Sequence, residues 1–275
     1  MSRSHAHLRL GIALCAALAT VAGAAGAAET RFAVGMDYSS GDYGSQSVTE
    51  ILSIPVTARL DAGNWSLSAS VPWVKVTGDA NVLPGVGLVD NLNPVGRGRG
   101  GLLAPAPGDA SSTSQRGEAS GIGDVTVRAG YALPTGTALG VDLGINAKIA
   151  TADADKGLGT GANDYGVSVD LYRDFNDTLL FGGVGYTRLG DSEYIATDST
   201  ATANVGISRK VGTGRLGVML DQRKATSSAF DNSREVTGFY NVGAGTGPRV
   251  QLYATHGLTD GSPDWGAGVA VSTGF

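Results

Sequence analysis

Apolar and polar residues alternate one by one along most of the chain, most cleanly from Asp264 to Phe275. There Trp265, Ala267, Val269, Val271, Thr273 and Phe275 fall on one side, and Asp264, Gly266, Gly268, Ala270, Ser272 and Gly274 on the other. A period of two is the signature of a β-strand. One apolar face and one small or polar face suit a wall between lipid and water. The same pattern predicts about twelve strands of roughly ten residues, the length a tilted membrane strand requires. They are expected near Arg31–Ser39, Ser47–Leu60, Trp65–Val76, Asp124–Leu133, Leu139–Ala150 and Tyr165–Phe175. The rest follow near Leu179–Leu189, Ala201–Val211, Arg215–Lys224, Glu235–Ala244, Arg249–Leu258 and Asp264–Phe275. In the strand from Leu179, Leu180 and Phe181 compete for the outward face.

The joins between these segments alternate short and long. The short ones are Asp61-Ala62-Gly63-Asn64, Pro134-Thr135-Gly136, Asn176-Asp177, Gly212-Thr213-Gly214 and Gly245-Thr246-Gly247-Pro248, all rich in tight-turn residues. The long ones lie near 40–46, 77–123, 151–164, 190–200, 225–234 and 259–263. This rhythm predicts an all-β fold, a transmembrane antiparallel up-and-down β-barrel with an even strand number and both termini in the periplasm. A soluble β-sandwich alternates too but has no reason for the rhythm. Trp65, Tyr131, Phe175 and Phe275 would then line the periplasmic rim, and Trp73, Tyr165, Tyr186 and Trp265 the outer rim, as interfacial girdles.

Composition agrees. Gly reaches 43 in 275 residues, and mean hydropathy is only +0.03, as expected when every second residue faces lipid. After the N-terminal region no run approaches the ~18 apolar residues of a helical span. Arg3 and Arg9 precede an apolar run from Leu10 to Ala25, followed by small residues, so residues 1–28 read as a cleaved signal peptide and 29–275 as the barrel. The single cysteine, Cys15, leaves with that peptide, so no disulfide or thiolate site is expected. The net charge of −5 argues against nucleic acid as a partner.

Candidate chemistry sits on inward positions. Arg59, Asp124, Arg128, Asp142, Asn146, Lys148, Asp170, Tyr172, Asp221, Arg223, Glu235, Asn241, Arg249 and Gln251 all fall there. Such residues line an aqueous path and set its selectivity, or else pair across strands and plug a narrow barrel. No catalytic residue, metal site or cofactor is expected. His256 is the sole histidine of the mature chain, lies on the outward face and has no serine partner there. Asp153, Asp155 and Asp164 lack the ligand order of a calcium loop. Gly157-x-Gly159-x-Gly161 leads into a strand, without the helix dipole of a phosphate site. The loop 77–123 carries a basic Arg97-Gly98-Arg99-Gly100-Gly101 stretch and either enters the mouth, meets anionic lipopolysaccharide or stays solvated.

Three stretches resemble an outer-membrane transporter family named for the MetA pathway of phenol degradation. They are Gly121-Ile122-Gly123-Asp124-Val125 on to Tyr131; Lys156-Gly157-Leu158-Gly159-Thr160-Gly161 with Asp164-Tyr165-Gly166; and His256-Gly257-Leu258 through Ser262-Pro263-Asp264-Trp265-Gly266 to Phe275. The resemblance implies a Gram-negative outer-membrane channel that passes small hydrophobic or aromatic molecules. The alternative is a non-conducting structural or surface barrel acting through its loops; an outer-membrane enzyme is a third class. The partners expected are membrane lipid and lipopolysaccharide, small solutes, and the barrel-assembly machinery through Phe275. Two departures stand out. Thr273 replaces the usual aromatic two residues before the terminal Phe, and Ala150-Thr151-Ala152 replaces the family's frequent Pro-Thr-Gly.

Overall fold

The computed structural model describes residues 28–91, 117–193, 195, 198–243 and 247–275. The expected signal peptide and the Arg97–Arg99 stretch lie outside these residues. The strands are β1 (Glu29–Gly41), β2 (Thr49–Ala62), β3 (Trp65–Gly78), a small hairpin β4 (Val82–Leu83) and β5 (Gly87–Leu88), β6 (Gly117–Ile122) and β7 (Val125–Leu133). They continue with β8 (Leu139–Ile149), β9 (Asp164–Phe175), β10 (Thr178–Arg188), β11 (Thr200–Val211), β12 (Gly214–Arg223), β13 (Ser233–Val242), β14 (Arg249–Gly257) and β15 (Trp265–Gly274).

Thirteen of these segments form one antiparallel sheet that closes on itself, through β1 with β15 and β2 with β3. Segments β6 and β7 lie end to end along β3 and share one place, so the ring has twelve strands. Closure pairs both edges of each of the long strands, β6 alone in the ring keeping one edge without a strand partner among the described residues, and such closure is what lets a sheet stand in lipid. The seam runs from Arg31 opposite Gly274 to Ser40 opposite Trp265, and Thr30 and Phe275 exchange both backbone hydrogen bonds.

Tight turns set the register. Gly63-Asn64, Asn176-Asp177 and Gly212-Thr213 join their strands in two residues, with Gly63, Asn176 and Gly212 in the left-handed region at φ 60°, 59° and 59°. That geometry matches the strand twist of hairpin turns. All the short joins lie at one end of the barrel, together with Glu29 and Phe275; all the long ones lie at the other.

The fourth barrel strand corrects the expected loop 77–123. Strand β3 continues to Gly78, and pairing resumes at Gly117, so the connection spans 79–116. Between Trp73 opposite Ile122 and Ser70 opposite Thr126, β3 advances three residues and its partner four. The extra residue is a β-bulge at Gly123-Asp124, which keeps Ile122 and Val125 on the same face while breaking the alternation. That break hides β6 in the sequence. The strand expected to reach Ala244 ends at Val242.

The aromatic rims form mostly as expected. Trp65 packs on Tyr131 at 4.7 Å and Phe32 on Phe275 at 6.3 Å at the short-turn end, while Tyr38 meets Trp265 at 5.2 Å near the long-loop end. Trp73 is the exception: it lies mid-strand, because β3 runs on to Gly78.

Candidate functional site

The concave face identifies itself by contacts that skip strands, because side chains converge inside a closed sheet and diverge outside it. Phe181 on β10 meets Phe239 on β13 with ring centroids 6.2 Å apart. Arg128 on β7 reaches across β8 to Ser168 and Asp170 on β9, at 3.0 and 2.9 Å. Arg215 on β12 reaches Asp174 on β9 at 3.4 Å, and the Tyr253 hydroxyl on β14 donates to Asp37 on β1. Phe181 is therefore inward and Leu180 outward. Under the Phe181 and Phe239 rings lie Gly206 and Gly217; a Cβ at either would stand 2.3 or 2.4 Å from the ring. Glycine on β11 and β12 is what lets both rings lie flat on the wall.

The predicted inward residues fall on this face in distinct groups. Arg59 forks onto Asp61 at 2.7–2.9 Å near the short turns. Arg128 pairs with Asp170, and the Tyr172 hydroxyl points at Asp142 at 3.4 Å. Asn146 lies over Gly166. Asp221 and Glu235 stand directly opposite each other on β12 and β13, two like charges in register. Asn241 and Gln251 are cross-strand neighbours toward the short-turn end, where Arg249 begins β14. Ion pairs lace the β7–β9 side, and the β9–β14 side carries the aromatic rings along with the Arg215–Asp174 pair.

At the long-loop end Lys148, Asp124 and Asp164 form a clasp. Lys148 lies 3.3 Å from Asp124 and 2.8 Å from Asp164, and donates to Thr160 at 2.8 Å. Their side chains are only 16%, 11% and 7% exposed. The bulge aims Asp124 at the loop 150–163, where it accepts from Thr151 and Ala152 backbone N–H at 3.1 and 2.9 Å. Thr151 ties the same loop to Gly123 and Val125 through its hydroxyl. Asp153 caps a 3-10 turn, Ala154–Lys156, and Leu158 then drops against Val74 and Val76. A Cβ at Gly159 would stand 2.7 Å from Asp124, so the glycine run serves close packing of the loop. The first two family-like stretches thus meet at this clasp.

Opposite the clasp, the hairpin β4–β5 folds into the mouth. Asp79 backbone N–H donates to Thr49, Val89 to Asn81, and Leu83 and Val89 bury against Ile195. Its tip carbonyl, Gly85 O, accepts from Arg223 on β12. Strand β12 is six places from β3 in the ring of twelve, so the hairpin that leaves β3 is fastened to the far wall. Beside it is a cavity of about 270 Å³ lined by Asp37, Tyr43, Leu83, Arg223, Glu235 and Tyr253 among others. Tyr43 is buried there with its hydroxyl 2.8 Å from Ser39, and burial pushes its phenol up to about 12.

Sequence reasoning missed Asp37, Tyr43, Phe181, Phe239 and Tyr253 on this face. Part of the signal was present: Asp37 stands in β1 opposite small Gly268 and Ser53, and Tyr253 alternates with Gln251 and Thr255. The remaining candidates go elsewhere. His256 lies on the face of Val250 and Leu252, and its Nδ1 is 2.9 Å from the Asp264 carbonyl. Asp153 binds Lys156, and Asp164 binds Lys148, so the acidic loop residues do not converge.

No curated protein matches this sequence. Among solved structures, the barrel is similar to the COG4313 outer membrane channel from Pseudomonas putida F1, with TM-score 0.65 and 14% identity, over 90% of this chain and 96% of that one. A KdgM porin matches with TM-score 0.49 and 11% identity, over 88% and 99% of the two chains. The CymD monoaromatic hydrocarbon channel matches with TM-score 0.43 and 9% identity, over 94% and 90%. A family model described as "Putative MetA-pathway of phenol degradation" matches residues 22–275, nearly the whole chain, and the chain belongs to that family.

Proposed function

We propose that this protein is a passive outer-membrane channel of a Gram-negative bacterium, passing small molecules, hydrophobic or aromatic compounds among them, through the barrel. Residues 1–28 direct export and are removed, both termini face the periplasm, and Phe275 engages the barrel-assembly machinery. The observation that carries the reading is the concave face. It holds ion pairs and aromatic rings lying flat on the wall, with a cavity of about 270 Å³ at the mouth, a lining that suits a selective aqueous path. The residues Arg59, Asp124, Arg128, Asp142, Asn146, Lys148, Asp170, Tyr172, Asp221, Arg223, Glu235, Arg249 and Gln251 line the path. The protein is a conduit and not an enzyme; His256 serves the interface beside Trp265.

Family membership and the fold shared with the P. putida channel support this reading. Liposome swelling tests it. Vesicles carrying the refolded protein are expected to swell in isosmotic small neutral solutes and to keep their volume in a large polysaccharide. Swelling no faster than protein-free vesicles would favour a non-conducting barrel that acts through its loops.

A further inference from the structure

The cavity beside the hairpin combines features that the rest of the concave face keeps apart. Its apolar boundary comes from Ile51, Leu83 and Pro263, and two phenol side chains, Tyr43 and Tyr253, complete the wall. Its charged groups are Asp37, Glu235 and Arg223: two carboxylates against one guanidinium. Arg223 spends a donor on the Gly85 carbonyl. Asp37 accepts from Tyr253, and Glu235 accepts from Ser233 at 2.9 Å; neither carboxylate makes an ion pair among the described residues. A carboxylate has about four lone-pair sites, so each keeps acceptor capacity that water or a guest must satisfy.

We infer that this cavity is a binding site for small single-ring molecules bearing hydroxyl or ammonium donors, and that it discriminates against carboxylate-bearing rings. The inference rests on the channel reading for its biological sense, and on the cavity alone for its chemistry. A volume of about 270 Å³ lies just below ordinary ligand pockets and suits one ring with its substituents. Ring faces and aliphatic side chains hold the body of the guest, while Asp37 and Glu235 accept its donors. An anionic guest would meet the excess negative charge in a partly dehydrated site, where like-charge repulsion is weakly screened. Arg223 is a positioning residue: it fixes the hairpin that forms one wall.

Calorimetric titration of the detergent-refolded barrel with tyramine, resorcinol and benzoate tests this without requiring conduction. Tyramine and resorcinol are expected to bind at least about tenfold more tightly than benzoate, a difference of about 1.4 kcal/mol. In Glu235→Gln, which keeps size and shape, the advantage of tyramine over benzoate is expected to shrink severalfold. Asp37→Asn provides the same readout if the first variant fails to regain heat-modifiable mobility. Equal affinity for the three probes, or an unchanged preference in the folded variants, would overturn the inference. Discriminating binding by a barrel that never conducts would uphold the cavity and defeat the channel; conduction without such binding would do the reverse.

Discussion

The guanidinium of Arg223 donates to the carbonyl oxygen of Gly85 at 2.5 Å, although 138 positions separate the two in the chain. Together with the packing of Leu83 and Val89 on Ile195, this contact fastens the loop leaving β3 to the opposite wall. A hydrogen bond from a charged donor is worth about 1.5–3 kcal/mol. Arg223→Ala is therefore expected to raise the population of hairpin-open molecules by about tenfold or more. Single-channel recordings of this variant should show larger or noisier openings than wild type, with strand content unchanged by circular dichroism.

Lys148 bridges two nearly buried carboxylates. Replacing it with Met would leave Asp124 and Asp164 facing each other without a cation, a change that costs about 3–5 kcal/mol where pairs are well buried. The loss should appear as faster amide exchange at Thr151, Ala152 and Gly190, whose N–H groups the two carboxylates hold. Adding Asp124→Asn to Lys148→Met should recover part of the protection. Unchanged exchange in the single variant would mean that the loop is held by Leu158 packing instead.

Val184, in the middle of β10, leaves 61% of its surface uncovered by protein. In water an exposed valine tolerates arginine within about 0.5 kcal/mol. On the lipid face of a barrel near the midplane the same change costs about 2–4 kcal/mol. Val184→Arg should therefore lower the urea midpoint for unfolding from lipid vesicles by that free energy, whereas Gly183, on the inward face, should not report depth.

Tyr43 adds a pH dependence. Its phenol is pushed up to about 12 from an ordinary 10.0, chiefly by burial, with the Ser39 hydrogen bond opposing and Glu235 reinforcing. The fold thus prefers the neutral phenol. Its contribution to stability is complete below pH 10 and is lost as pH rises through about 12. Alkaline unfolding should be measurably flatter over that window in Tyr43→Phe, which keeps the ring and removes the titration.

The barrel was legible in the sequence because its determinants are local. Alternation fixes each strand's faces, and turns such as Asn176-Asp177 carry their own geometry. The features that shape the mouth depend on distant partners. Nothing within Val82–Leu88 has a period that would announce a hairpin inside the lumen; Arg223 and Ile195 put it there. Leu180 and Phe181 are equally apolar, and the choice between them is made by Gly206 on the next strand, which leaves room for a ring. The continuation of the fourth strand as Gly117–Ile122 was hidden because the bulge at Gly123-Asp124 interrupts the very alternation by which strands are recognised. Of the predicted inward set, the residue types and faces could be read, but not that Lys148 would spend its charge on the clasp while Glu235 would keep acceptor capacity beside the cavity.

Single-channel conductance of the refolded mature protein in a planar bilayer separates a conduit from a plugged barrel. An open barrel gives discrete, long-lived conductance steps, and small hydroxylated aromatics added to the bath partly block them. A barrel with heat-modifiable mobility and full strand content that inserts into the bilayer and never passes current would contradict the channel reading.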